Sequence, residues 1–218
     1  MITYKCLILD HDDTIFDSTR TVHYPAFIET LTTLRPDQND LSFNDFIEMC
    51  HTLGFEKICD DVYHFDADEL KTEYTIWKNY TGKTIPDPFE GIGAVLKDYV
   101  DQGGKIAVVS HSESTEIKRD YRTHFGFEPD LVFGWELGSS QRKPNPYPLL
   151  QTLTLLSLKP EEVLVVDDMR LGKDMAKAMN VDFACAAWGH QNPLIQADMK
   201  DSGFYLESVK DLKKLIFK

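Results

Sequence analysis

Short apolar runs alternate with helix-like stretches at the start of the chain and again from residue 91 onward. The runs have strand length, and the stretches between them repeat apolar residues at three- and four-residue spacing. The predicted strands are residues 4–9, 105–110, 130–133, 163–166 and 183–187. The predicted helices that follow them are residues 91–102, 113–125, 148–156, 171–179 and 209–217. This alternation predicts an α/β fold, with a Rossmann-like parallel sheet flanked by helices on both faces.

The segment after the first strand has a different pattern. Apolar residues at helical spacing recur at 31–34, 43–50 and 68–80, acidic residues outnumber basic ones, and no strand-like run interrupts them. Pro86 and Pro88 mark the return to the alternating pattern. We therefore expect a core domain of residues 1–16 and 86–218, with an inserted α-helical domain of residues 17–85.

Polar residues stand at the ends of three predicted strands. Residues 10–14 read DHDDT after the first strand, Ser110 and His111 end the second, and Asp167 and Asp168 follow the strand at 163–166. In a parallel sheet, ligands bind outside the carboxyl ends of the strands. The sequence therefore predicts one site at which these side chains meet.

A cation and a divalent metal would suit such a site. Lys143, in the loop before Pro144, adds an ammonium group to the same edge. Several carboxylates in close proximity repel each other unless a cation or a proton intervenes, and oxygen ligands with a phosphate substrate favour Mg²⁺. Asp10 and Asp12 have the two-residue spacing that points side chains the same way in an extended segment. One carboxylate can attack phosphorus while the other transfers protons.

The amino-acid composition disfavours some classes of binding partner. The 218 residues carry a net charge of −13, which disfavours binding to nucleic acid or to anionic membranes. No run of eighteen apolar residues is present, so we expect no membrane span. The four cysteines form no metal-binding or disulfide pattern, which is typical of a cytoplasmic protein with reduced thiols. The expected partner is a small phosphorylated metabolite, and the expected state is a monomer or a small homo-oligomer.

These motifs resemble those of the haloacid dehalogenase superfamily, in its phosphatase branch. The DHDDT segment resembles the D-x-D-x-T motif, and Ser110, Lys143 and Asp167-Asp168 resemble the second, third and fourth motifs. The motifs stand in the family's order, and the resemblance covers nearly the whole chain. It implies that the helical insert is a cap, which closes over the active site and selects the substrate.

The resemblance also implies a role for each residue. Asp10 would be the nucleophile and Asp12 the general acid and base. Mg²⁺ would be held by the Asp10 carboxylate, the Asp12 backbone carbonyl and Asp168. The phosphoryl group would be bound by Ser110, Lys143 and the backbone around His111.

The chain departs from the family pattern in the fourth motif. The family usually offers a second acid four or five positions after the first, and here Gly172 and Lys173 occupy those positions. Asp167, Asp174 or a water molecule could complete the metal site, and the sequence leaves these alternatives open.

The expected function is Mg²⁺-dependent hydrolysis of a small phosphate monoester through an aspartyl-phosphate intermediate. A phosphomutase of the same family, acting on a sugar phosphate, would use the same residues. A non-catalytic binding or regulatory module with the same fold is the third alternative. Residues 188–190 (WGH) follow the last predicted strand, where they either line the site or serve packing alone.

Overall fold

The computed structural model describes all residues from Met1 to Lys218 and contains one six-stranded sheet. The strands are β1 (Cys6–Leu9), β2 (Lys105–Val109), β3 (Leu131–Phe133), β4 (Val163–Asp167), β5 (Asp182–Ala186) and β6 (Phe204–Leu206). Their order is β3-β2-β1-β4-β5-β6, and every neighbouring pair is parallel. The predicted α/β fold with a Rossmann-like sheet is confirmed.

The central strands β1 and β4 consist mainly of consecutive apolar residues, which suits them to the middle of the sheet. Every residue of β1 and β4 is buried, as expected for strands with neighbours on both sides and layers on both faces. Leu9 pairs with Val108 of β2 and with Val166 of β4. The strand order reverses between β1 and β4, and this switch point is where such sheets open a crevice for ligands.

Ten α-helices accompany the sheet. They are α1 (Tyr24–Leu34), α2 (Phe43–Thr52), α3 (Phe55–Lys57), α4 (Ala67–Lys83), α5 (Ile92–Asp101), α6 (Ser114–Phe125), α7 (Tyr147–Leu155), α8 (Arg170–Ala178), α9 (Pro193–Met199) and α10 (Val209–Ile216). In α5, the buried residues Ile92, Val95, Leu96 and Tyr99 recur at helical spacing and pack into the core beside the sheet. None of the helices combines the length and apolar content that crossing a bilayer requires.

From residue 91 onward, two elements were absent from the sequence-based prediction, namely α9 and β6, and in the inserted segment α3 was not predicted as a separate helix. β6 is a three-residue edge strand whose first residue, Phe204, is 41% exposed, and it follows Gly203 with a φ of +118°. A run this short, half exposed and next to a glycine, does not differ in pattern from a loop.

The chain divides into two compact units. The first comprises Met1–Phe16 and Pro88–Lys218 and contains the sheet, and the second is Asp17–Asp87 and contains α1–α4. In the second unit, the Phe27 ring lies 5.3–5.6 Å, between ring centroids, from the rings of Phe46, Phe55 and Tyr63. A role for the second unit as a cap domain stays a prediction.

Candidate active site

The carboxyl ends of β1 and β4 bring two carboxylates onto one ammonium group. Lys143 Nζ lies 2.7 Å from Asp10 Oδ1 and 2.8 Å from Asp167 Oδ2, and none of these side chains is more than 8% exposed. Burial raises the pKa of Asp10 well above its ordinary value and that of Asp167 to about 6, although Lys143 opposes both shifts. Burial disfavours the ammonium, but Asp10 and Asp167 raise the pKa of Lys143, so it stays charged.

Asp168 adds a third carboxylate to this group. Asp10, Asp167 and Asp168 each offer one oxygen, and these oxygens all lie within 4.8 Å of one another. Three buried carboxylates exceed the charge of a single lysine, and oxygen donors at this spacing fit a hard divalent cation. Asp174, the other candidate in the fourth motif, is exposed on α8 and lies outside the group.

The glycine in the fourth motif makes room for Asp167. A Cβ built at Gly172 would lie 2.2 Å from Asp167 Oδ2, far inside van der Waals contact. The Asp167 carboxylate therefore fills the space that a side chain at position 172 would take. That Asp167 takes the place of the acid that the family pattern puts near position 172 stays a prediction.

Asp168 is held by donors on both of its oxygens. Thr14 Oγ1 donates to Oδ1 at 2.9 Å, and His190 Nε2 lies 2.7 Å from Oδ2. Although burial opposes ionisation, the hydrogen bond from His190 helps to hold the pKa of Asp168 below its ordinary value. Trp188 Nε1 donates to the Thr14 carbonyl at 3.0 Å. Trp188 and His190 therefore form hydrogen bonds with residues of the site, which is more than a packing role.

Asp12 is oriented by two serines that follow β2. Ser110 Oγ donates to Asp12 Oδ2 at 2.9 Å, and Ser112 Oγ donates to the same oxygen at 2.8 Å. Ser110 was predicted as a phosphate ligand, and its hydroxyl here bonds to Asp12. Ser112 was not predicted, although its spacing of two residues from Ser110 after a strand was the signal that could have found it.

His111 supports the lysine loop. Its Nε2 lies 3.3 Å from the Lys143 carbonyl, to which it donates, and its ring packs edge-on against Trp135. Burial, together with the charge of Lys143, lowers the pKa of His111 to about 3, so the imidazole is neutral. The structure thus brings all predicted site residues to one edge of the sheet, with His111 bonded to the main chain of the Lys143 loop.

Comparison with known proteins gives consistent matches. A family model described as haloacid dehalogenase-like hydrolase matches residues 7–186. The phosphoglycolate phosphatase of Aquifex aeolicus is 26% identical over 97% of this chain and 96% of its own length. The pyrophosphatase PpaX of Bacillus cereus is 25% identical over 74% of this chain and 73% of its own.

A solved structure shows the same fold. The crystal structure of a putative haloacid dehalogenase-like hydrolase from Bacteroides fragilis superposes with a TM-score of 0.78 and 21% sequence identity. The match covers 96% of this chain and 99% of the other. The similarity therefore extends over both compact units of the chain.

Proposed function

Since this chain belongs to the haloacid dehalogenase-like hydrolases, we propose that it is a phosphatase that hydrolyses a small phosphate monoester. The observation that carries the proposal is the Lys143 ammonium between Asp10 and Asp167 at the switch point of the sheet. This arrangement pairs a nucleophile with a fixed cation for the transferring phosphoryl group. The similarity to a phosphoglycolate phosphatase over nearly the full length of both chains supports the same reaction class.

Mg²⁺ is the cofactor that we assign to this site. The carboxylates of Asp10, Asp167 and Asp168 and the backbone carbonyl of Asp12 would hold it, and the three carboxylates supply the negative charge. Bound there, the ion would neutralise charge on the phosphoryl oxygens. The nucleophilic attack and the proton transfers are performed by side chains of the protein.

In the first step, a carboxylate oxygen of Asp10 attacks phosphorus, and the bond between phosphorus and the alcohol oxygen breaks. Asp12 donates a proton to the departing oxygen, which leaves as a neutral alcohol. Lys143 stabilises the negative charge on the phosphoryl group during transfer, and Ser110 with the backbone around His111 binds its oxygens. The product of this step is an aspartyl-phosphate on Asp10.

In the second step, water attacks the phosphorus of the aspartyl-phosphate. Asp12, now ionised, takes a proton from that water, so one residue serves as acid and then as base. The bond between phosphorus and Asp10 breaks, and inorganic phosphate leaves. The protein returns to its starting state with Asp12 protonated.

The test is release of inorganic phosphate from a panel of phosphorylated metabolites, with and without Mg²⁺. The panel includes 2-phosphoglycolate and inorganic pyrophosphate, because relatives of this chain are named for these activities. Asp10→Asn removes the nucleophile, and we expect it to lower turnover by about 10³-fold or more. Asp174→Asn is the matched control, since the same change at an exposed position on α8 should leave turnover unchanged.

Three other results would contradict the proposed phosphatase mechanism. Full turnover by Asp10→Asn with Mg²⁺ would exclude Asp10 as the nucleophile. An isomerised phosphate ester in place of inorganic phosphate would identify a mutase. Mg²⁺ binding without turnover of any phosphoester would identify a binding module.

A further inference from the structure

Ser112 lies beside the proton-transferring residue and has no role in the function proposed above. Its hydroxyl donates to Asp12 Oδ2 at 2.8 Å, and its backbone N donates to Ser110 Oγ at 2.9 Å. Ser110 in turn donates to the same Asp12 oxygen. The three residues form a closed set of hydrogen bonds at the end of β2, and both serines are almost fully buried.

The backbone fixes the position of Ser112. Its carbonyl accepts a hydrogen bond from Trp135 N at 2.9 Å. A Cβ built at Gly134 would lie 2.7 Å from the same carbonyl oxygen, so the glycine permits this close approach of two chain segments. Both main-chain hydrogen-bonding groups of Ser112 are therefore engaged, its N with Ser110 Oγ and its carbonyl with Trp135 N, so the backbone that carries the hydroxyl is held beside Asp12.

During the reaction, two acceptors compete for the hydrogen bond from the Ser110 hydroxyl, namely Asp12 Oδ2 and the phosphoryl group. It carries one proton, which it donates here to Asp12 Oδ2, and it already accepts a hydrogen bond from Ser112 N. The oxygens of an ionised phosphoryl group accept hydrogen bonds, so binding that group requires the same Ser110 proton. When the Ser110 hydroxyl turns to the substrate, its hydrogen bond to Asp12 is lost. The hydrogen bond from the Ser112 hydroxyl to Asp12 Oδ2 is retained.

We propose that Ser112 is a positioning residue that keeps the Asp12 carboxylate in its orientation for proton transfer while Ser110 binds the phosphoryl group. The inference rests on the proposed phosphatase function. Proton transfer requires the acid to stay within hydrogen-bond reach of the reacting oxygen, and a carboxylate that rotates away loses that reach.

The experiment compares two substrates that differ in their need for a proton. The p-nitrophenolate ion leaves without protonation, whereas the alcohol of an alkyl monoester needs the acid. The alkyl substrate is 2-phosphoglycolate, or the alkyl monoester of the panel that is hydrolysed fastest. The measured quantity is kcat/KM, which reports the steps up to release of the alcohol.

Ser112→Ala should lower kcat/KM for the alkyl monoester by about 10–100-fold, as part of the general-acid contribution is lost. For p-nitrophenyl phosphate we expect a change of less than about threefold, since no proton is needed in the step measured. Ser112→Thr keeps the hydroxyl and should restore the alkyl activity. Ser114→Ala is the matched control, because the Ser114 hydroxyl bonds to Glu136 and not to Asp12.

Equal losses on both substrates, or no loss on either, would overturn the role of Ser112. If the wild-type protein hydrolyses neither substrate, the phosphatase proposal itself fails, and the role of Ser112 fails with it. Thermal unfolding of each variant checks folding. If Ser112→Ala does not fold, Ser112→Cys keeps the size with a weaker donor, and its loss should again be confined to the alkyl monoester.

Discussion

The two compact units of this chain differ in how deeply they bury their ion pairs. In Asp17–Asp87, aromatic rings pack around Phe27, and the Arg35–Glu69 pair stays partly exposed. In the unit that contains the sheet, Lys143 and its carboxylate partners are buried. Burial of charge costs free energy unless the charges are paired, whereas burial of aromatic rings stabilises directly. The reactive groups therefore lie in the unit whose parallel strands can hold them together.

Removal of the central ring should have the largest effect on stability. Phe27 is 1% exposed, and Phe27→Ala should lower the free energy of unfolding by about 3–5 kcal/mol through lost burial and the cavity left behind. If the units are energetically separate, hydrogen exchange should show the loss of amide protection within Asp17–Asp87. The measurement is urea unfolding together with exchange resolved by peptide.

Phe204→Ala is the control for this change. Phe204 is 41% exposed on β6, so we expect its truncation to cost less than about 1 kcal/mol. A loss of protection spread evenly over both units in Phe27→Ala would show that the units unfold together, and the comparison would fail.

The second-largest effect is expected at the hydrogen bond between His190 and Asp168. His190→Phe removes the donor that lies 2.7 Å from Asp168 Oδ2 while keeping a ring of similar size. A carboxylate ligand that loses its hydrogen-bond partner is less well oriented, so the dissociation constant for Mg²⁺ should rise by about 10–100-fold. Isothermal titration of Mg²⁺ into the protein measures this constant without reference to activity.

His124→Phe makes the same change on α6, where the imidazole packs against Phe16 and Phe125. The Mg²⁺ dissociation constant of this variant should match that of the wild type. An unchanged constant in His190→Phe would mean that His190 does not orient Asp168.

The smallest expected effect is a pH dependence of the helical unit. Burial raises the pKa of Glu73 to about 7, with His23 opposing the shift. The folded chain thus keeps a proton that the unfolded chain releases near its ordinary pKa of 4.5, so stability falls as pH rises from about 4.5 to 7. A full pKa shift would correspond to about 1.4 kcal/mol per unit. Because Glu73 is only partly buried, solvent screening reduces this effect, and Glu73→Gln should lessen the loss of unfolding free energy between pH 5 and pH 8 by about 1 kcal/mol.

Glu56→Gln is the control, because Glu56 is exposed on α3 in the same unit. Urea unfolding at several pH values between 5 and 8 gives the comparison. A Glu73→Gln profile parallel to the wild type would show that this carboxyl does not couple folding to pH.

The sequence predicted the sheet well where strands are central and poorly at one edge. Strands β1 and β4 are buried throughout, so their apolar runs stand out from neighbouring residues. β6 combines three residues, a half-exposed Phe204 and a preceding glycine, and its register depends on pairing with β5. Such an edge strand is defined by its neighbour more than by its own pattern.

The site could be predicted as far as its residues follow strands directly. Asp10, Ser110 and Asp167 were selected in this way and their roles stay predictions, whereas the family match confirms the predicted family and enzyme class. The partners of each carboxylate were not predictable, because His190 and Ser112 meet Asp168 and Asp12 only through tertiary packing. In the sequence, Gly172 stands where the family usually has an acidic residue. The structure explains the glycine, because the Asp167 carboxylate lies where a side chain at position 172 would be.

The strand order also constrains how the chain can fold during synthesis. β1 is made first, yet its partner strands begin at Lys105 and Val163. At about 5–20 residues per second, roughly 5–20 s pass on the ribosome before β2 emerges. Throughout that time the apolar Cys6–Leu9 segment has neither of its neighbours, and most of the interval is the synthesis of the helical segment Asp17–Asp87. The central strand of the mature sheet is thus an unpaired apolar segment of the nascent chain for several seconds, and transiently exposed apolar segments of this kind favour aggregation.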